Sequence, residues 1–398
     1  MITGSLEIKL TTLTPIWTGG ADGKSDRLHI TGIIGSLRWW YEVIVRGLGG
    51  WACDPTDPNS TRCSYDDKKP ETFDNVCNVC RIFGATGWAR RFRIILTDER
   101  DLQYRNPTKP WDNHVNHSEK IVFGLSKTRK QQLLSEWRKQ QINRKLPNWY
   151  LNGPPLFGSV GLNIIAIGPK EPASNEPFQL KVIDGLFQFI EEWGSLGAKP
   201  QMGLGVVQIT SPRDRKDLLK YLYDFVVKDI NDHVAMRQKK GIEVPKPNLD
   251  LPSLQNMFFA RINTTQTPSI YETFDLKNEL REEVFRETPP EGVSRKSFRE
   301  SRAMRELRHQ IMGYVRGNDR IGAKVLMSYP NDKGVIRMWG WIPQLIDQKE
   351  PEKPALLKIR EYMQTKYGGK NTAWHRFDRD KHGDGAGFLK ELCLRGEK

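Results

Sequence analysis

Four of the five cysteines fall in one stretch. Cys53, Cys63, Cys77 and Cys80 follow the spacing Cys-x9-Cys-x13-Cys-x2-Cys, and Cys393 stands far off. Thiolates are soft metal ligands, and Cys-x2-Cys is a knuckle spacing for tetrahedral zinc. Four thiolates would complete the tetrahedron and leave no open position, so the expected ion is structural rather than catalytic. The segment 51–87 that carries them is rich in Pro, Asp and Asn. A structureless loop of that length is unusual in a compact domain, and zinc would supply the missing order; the alternative is a set of unrelated reduced thiols.

A second candidate is the stretch "WGSLGAKPQMGLGVVQI", from Trp193 to Ile209. It concentrates Gly194, Gly197, Gly203 and Gly205 around Lys199 and Gln201. Bare backbone permits positive φ and close approach by another chain, and successive N–H groups can cradle an anion. A dinucleotide fingerprint would need its glycines after a strand and before a helix, and a Walker loop would need Gly-Lys-Ser/Thr; neither is present. The seven histidines are scattered, and "DRDKHGDGAG" lacks the bidentate Glu of a calcium loop.

These residues sit in a chain of 398 with a formal charge of +14, a surplus that favours a polyanionic partner, nucleic acid before membrane. The start of the chain has no signal-peptide core and no run reaches a membrane span, so a cytoplasmic location is expected. "SLEIKLTT", "RRFRIILT", "SVGLNIIAIG" and "GVVQI" read as strands. "TGIIGSLRWWYEVIVRGLGG" and "KVIDGLFQFIEEW" carry helical apolar stripes. The order β-α-β-β-α-β is ferredoxin-like. A basic insertion, 101–155, interrupts this first domain, which spans 1–210. A helix and a linker fill 211–255. The same order returns over 256–398: "NMFFARIN", a basic helix in "SFRESRAMRELRHQIMGYV", a hairpin around "PNDKG", a helix in "KPALLKIREYMQTKYG" and a last strand near "FLKELCL". The expected class is α+β, two ferredoxin-like domains with an inserted cysteine-rich loop.

"GSLGAKPQMGLG" resembles the glycine-rich loop of the RAMP superfamily, the ferredoxin-like RNA-binding subunits of CRISPR effector complexes. "HITGIIGSLRWWYE" is similar to its first-helix motif, and "CNVCRIFGATGWARRFRI" to its Cys-x-x-Cys-x-x-Phe-Gly segment. With "LTTLTPIWTGG", the resemblance is to the two-domain subunit at the head end of type III-B (Cmr) complexes. It is strong over roughly residues 1–210 and rests beyond that mainly on "FFARINTT" and the repeated fold order. It implies a non-catalytic cap on the 3′ side of the guide RNA that helps capture target RNA, with other RAMP subunits of the Cmr complex as neighbours and no membrane partner.

The resemblance points to Gly194, Gly197, Lys199, Gln201, Gly203 and Gly205, to Arg38 with Trp39 and Trp40, and to Arg81 with Arg90. Single-stranded RNA is held by cations along phosphates and flat side chains on bases. Arg38 and Trp39 fit that chemistry, while Trp40 lies on the apolar stripe and is expected in the core. Arg91 and Arg93 are expected to share one solvated or RNA-facing side of the second strand, opposite Phe92 and Ile94. Lys24 and Arg27 are candidate contacts in the first loop. Arg316, Arg320 and Lys324 bracket the glycines of "RGNDRIGAK" as a further phosphate contact or a plain solvated turn. The enzymatic alternative also rests on the family. Its backbone subunits cleave RNA with an aspartate after the first strand, and Asp22 and Asp26 occupy a comparable loop, where a carboxylate could assist metal-dependent attack by a 2′-hydroxyl. A third possibility is a protein-interaction scaffold.

Overall fold

The structure, a computed structural model, describes residues 4–54, 62–108, 120–140, 143–167, 178–245, 248, 250–264, 269–287, 290–291, 293, 298, 300–343 and 354–396. β1 (Ser5–Thr12) leads to α1 (Ile30–Gly47), the short α2 (Asn78–Phe83), β2 (Phe92–Asp98), β3 (Ser159–Ala166), α3 (Lys181–Trp193) and β4 (Val207–Ile209). The four strands form one antiparallel sheet in the order β2-β3-β1-β4. Alternation decides its faces: Ile8 and Leu10 of β1 and Val160, Leu162 and Ile164 of β3 are buried while their neighbours are not. The helical stripes close over that face, with Ile33, Leu37, Trp40 and Ile44 from α1 and Val182, Leu186, Phe189 and Trp193 from α3.

The long α4 (Leu218–Lys239) packs on α3 and on α2, and begins four residues later than the sequence pattern suggests, after Asp217 in the left-handed region. Then follow β5 (Met257–Asn263), α5 (Ile270–Glu279), α6 (Arg302–Met312), β6 (Val325–Met327), β7 (Val335–Trp341), α7 (Ala355–Tyr367), β8 (Thr372–Arg376) and α8 (Gly385–Gly396). The second sheet has the order β6-β7-β5-β8, the strand order of the first repeated. The two halves share one core, in which Trp40 stacks on Phe259 and Trp193 meets the same ring edge-on. The element order β-α-β-β-α-β therefore occurs twice in an α+β chain.

One expectation changes. The last strand is Thr372–Arg376, and "FLKELCL" lies in α8, because Phe388, Leu389 and Leu392 recur at helical spacing and are fully buried together. Among its described residues the insertion contains a helix, Lys127–Lys139, and a ribbon pairing Lys120–Phe123 with Trp149–Asn152. Arg129 donates to Glu283 at 2.5 Å and Arg144 to Glu282 at 3.2 Å, which docks the insertion against the second half. No helix among the described residues is long and apolar enough to cross a membrane.

Candidate functional site

The four cysteine sulfurs converge. All are buried, all lie within 4.8 Å of one another, and none forms a disulfide. A tetrahedron of thiolates on zinc places its sulfurs about 3.8 Å apart, from bonds of about 2.3 Å; Cys53 Sγ and Cys80 Sγ lie 3.5 Å apart. Cys77 caps α2, its sulfur accepting the Cys80 N–H at 3.4 Å, and the Cys77 N–H points to Cys63 Sγ at 3.3 Å. Hydrogen bonding to Cys53 pushes the Cys63 and Cys80 thiols up, and burial pushes Cys77 up. Cys53 goes the other way, held down by hydrogen bonds from Cys63, Cys77 and Cys80, so the cluster favours a single thiolate and resists further ionisation until a cation offsets the charge, as a divalent metal does. The residues fit such an ion, which would tie segment 53–80 to α1.

Arg38 belongs to this centre. Its guanidinium donates to Cys80 Sγ at 3.2 Å, to the Gly84 carbonyl at 3.2 Å and to Glu42 at 2.9 Å. Glu42 accepts in turn from Arg46 at 3.1 Å. Arg38, Glu42 and Arg46 form a ladder with i, i+4 spacing on one face of α1 that runs from the sulfurs to the Pro252 carbonyl. Burial opposes the Arg38 charge, and Cys80 and Glu42 more than restore it, holding its pKa up. Arg81 is also occupied: it is buried, donates to the Val76 carbonyl and lies over Phe73.

The glycine loop is crowded by protein. A Cβ on Gly194 would lie 2.6 Å from the Trp40 ring, on Gly203 2.6 Å from Tyr329, and on Gly205 2.0 Å from the Leu196 carbonyl. Gly197, Gly203 and Gly205 have positive φ. The amides of Gly194, Leu196, Gly197, Ala198, Met202, Gly203 and Gly205 each donate to a protein oxygen. The close approach that the sequence assigns to RNA is made by α1, by the segment Pro15–Trp17 after β1 and by the second half. Lys199, left-handed with its ammonium 5.5 Å from the Trp17 centroid, and Gln201 remain half-buried at the tip.

Other expectations separate similarly. Trp40 is in the core, as its stripe position requires, and donates to the Ser195 carbonyl at 3.0 Å. Trp39 is half-buried between Trp40 and Trp341. Arg91 does not share a solvated side with Arg93: it precedes β2 and is buried under Phe178, while Arg93 is exposed. Arg90 is half-buried and donates to the Phe92 carbonyl. Lys24, Arg27, Asp22 and Asp26 are exposed. Asp22 folds back on the Lys24 N–H, and Asp26 meets His29 Nε2 at 2.6 Å, which holds the Asp26 carboxyl below its usual range. Arg316 and Arg320 lie exposed on a ribbon, Tyr314–Arg316 with Asp319–Ile321, and Lys324 donates to the Gln310 carbonyl.

A cavity of about 840 Å³ forms a groove between the two sheets. Arg215, Arg261, Lys333, Arg337 and Lys370 line it against three carboxylates, Glu191, Glu192 and Asp332. Arg261 and Arg337 stand directly opposite each other in the β5–β7 register. Like charges in that position repel unless neutralised. Glu192 accepts from Arg261 at 2.8 Å and from Arg215 at 3.2 Å. Among the described residues Arg337 donates to carbonyls, those of Gly194 at 3.0 Å and Ile190 at 3.4 Å at the end of α3, and burial pulls its pKa down to about 10. Tyr329, whose hydroxyl is buried without a partner among the described residues, joins the groove to the glycine loop at Gly203. Reasoning on motifs missed this groove. The signal was present as two arginines interrupting otherwise apolar strands, "FFARIN" and "VIRMWGW".

Two sheets of one strand order, packed together at a glycine-rich connector of the first half and flanked by a thiolate knuckle, define a two-sheet α+β class. The profile described as "RAMP superfamily" matches residues 9–208, and the chain belongs to that superfamily. Among solved structures it is similar to Cmr1 from Pyrococcus furiosus in the apo form, at 11% identity and a TM-score of 0.42 over 94% of this chain and 98% of that one. It is similar also to a chain of the type III-B Cmr-beta complex bound to cognate target RNA, at 9% identity and a TM-score of 0.39 over 90% and 98%. No curated protein matches.

Proposed function

We propose that the chain is a non-catalytic RNA-binding subunit of a type III-B CRISPR ribonucleoprotein, built of two ferredoxin-like halves that hold single-stranded RNA in the groove between their sheets. In this reading it caps the 3′ end of the guide RNA, helps capture target RNA and contacts other RAMP subunits in the cytoplasm. The observation that carries the reading is the groove: five cations line it with three carboxylates, and two of the cations stand opposite each other on adjacent strands. Membership of the superfamily, the formal charge of +14 and the head-end sequence motifs support it. Lys333 and Lys370 are exposed and take phosphates, and the Lys199–Gln201 tip continues the track. The thiolate cluster holds zinc as a structural cross-link, which contributes no step to chemistry on RNA.

Filter binding of the chain to single-stranded RNA across a salt series tests this. About six neutralised phosphates give a log–log slope near −4, and Lys333→Ala with Lys370→Ala flattens it by about 1.4. Absence of binding at low salt supports the scaffold reading instead. One observation favours a ribonuclease as second reading: Asp26 and His29 form an exposed acid–base pair at 2.6 Å.

A further inference from the structure

A second cavity of about 560 Å³ lies on the other side of α1's end, between the segment before β5 and the segment after β8. Its size suits a nucleotide. Arg46, Arg376 and Arg379 line it with one carboxylate, Asp384, which is spent on the Gly387 N–H at 3.0 Å at the start of α8. Arg46 is 4% exposed, and its Nε has no partner among the described residues. Its other nitrogens reach Glu42, Pro252 and Cys53 at 3.1 to 3.5 Å. A buried cation left partly unsatisfied calls for a further acceptor. Phe377, half-buried, adds an aromatic ring, and Gln255 is exposed at the lining.

We infer that this cavity binds a nucleotide carrying a terminal phosphomonoester, with the phosphate on Arg376 and Arg379 and the base against Phe377. Arginine forks match phosphate oxygens, and every base offers a face for stacking. Because the chain is read as an RNA-binding subunit, the nucleotide belongs to the end of an RNA strand; a free nucleoside monophosphate has the same chemistry. The inference rests on the proposed function for that choice alone.

The test is fluorescence anisotropy on the full chain. Single-stranded RNA of one sequence is compared with a 3′-phosphate, a 5′-phosphate or hydroxyls at both ends, and adenosine and guanosine monophosphates serve as competitors. The expected result is tighter binding of one phosphate-ended RNA, lost about tenfold in Arg376→Ala, Arg379→Glu and Phe377→Ala, with the hydroxyl-ended RNA unchanged. Arg379 is exposed, so its variant keeps the test valid if Arg376→Ala unfolds. Monophosphate binding that depends on Arg379, with no preference for an RNA end, upholds the pocket and assigns it a free nucleotide. The same result in a chain that binds no RNA defeats the proposed function while sparing the pocket. No preference for a phosphate end together with no monophosphate binding overturns the inference.

Discussion

The two halves share a strand order and differ most where the second helix meets the last strand. In the first half that connector carries Gly194, Gly197, Gly203 and Gly205, and all four touch protein closer than a Cβ allows. In the second half it is "GGKN", Gly368 to Asn371, where a Cβ on Gly369 would meet nothing within 4 Å. The contrast teaches that glycine density here follows crowding by the rest of the chain. The first connector is covered from both sides, by Trp40 and Trp17 of its own half and by Tyr329 of the second half; a Cβ at Gly368 or Gly369 in its counterpart meets no such cover.

The comparison breaks most readily by substitution. Gly205→Ala combines a φ of +90° with a contact of 2.0 Å to the Leu196 carbonyl, and should cost about 4 kcal/mol or prevent folding. Gly369→Ala should stay within about 0.5 kcal/mol of the parent. Urea unfolding of both variants measures the gap, and equal costs would dissolve the contrast. The thiolate centre ranks next. Cys77→Ser should abolish stoichiometric zinc, read by elemental analysis, and lower stability by about 3 kcal/mol, comparable to loss of a native cross-link.

Arg38 sharpens the distinction between metal support and RNA contact. Arg38→Lys keeps the charge and loses the fork shared by Cys80, Gly84 and Glu42. Zinc affinity, measured by chelator competition, should fall about 10- to 100-fold, while the salt slope of RNA binding stays unchanged. A changed slope with intact zinc affinity would return Arg38 to the RNA interface. The smallest effect belongs to the first loop. Asp22→Ala and Asp26→Ala should leave target cleavage by the assembled particle unaltered at every position, and loss of one cut would favour the ribonuclease reading.

Sequence patterning revealed the first sheet, three of the four strands of the second, and α1, α3 and α7. It failed at "FLKELCL", where a short apolar run fits strand and helix equally, and at α5 with the turn Leu280–Val284 after it, whose Glu282 and Glu283 dock the insertion. The cysteine cluster was legible because ligand spacing is local. Arg38's partner sulfur lies 42 residues away, and the groove joins residues of both halves, so neither has a local signature. The glycine loop was legible as bare backbone, but its neighbour was not: sequence shows that something approaches closely, and only the fold shows that it is Trp40, Tyr329 and the chain's own carbonyls.

The most direct measurement is photocrosslinking of 4-thiouridine RNA to the assembled particle, followed by peptide mapping. Crosslinks should fall on the groove segments around Arg261, Lys333–Arg337 and Lys370, together with the Lys199–Gln201 tip. Crosslinks confined to the outer ribbon at Arg316 and Arg320, with the groove peptides unmodified, would contradict the assignment.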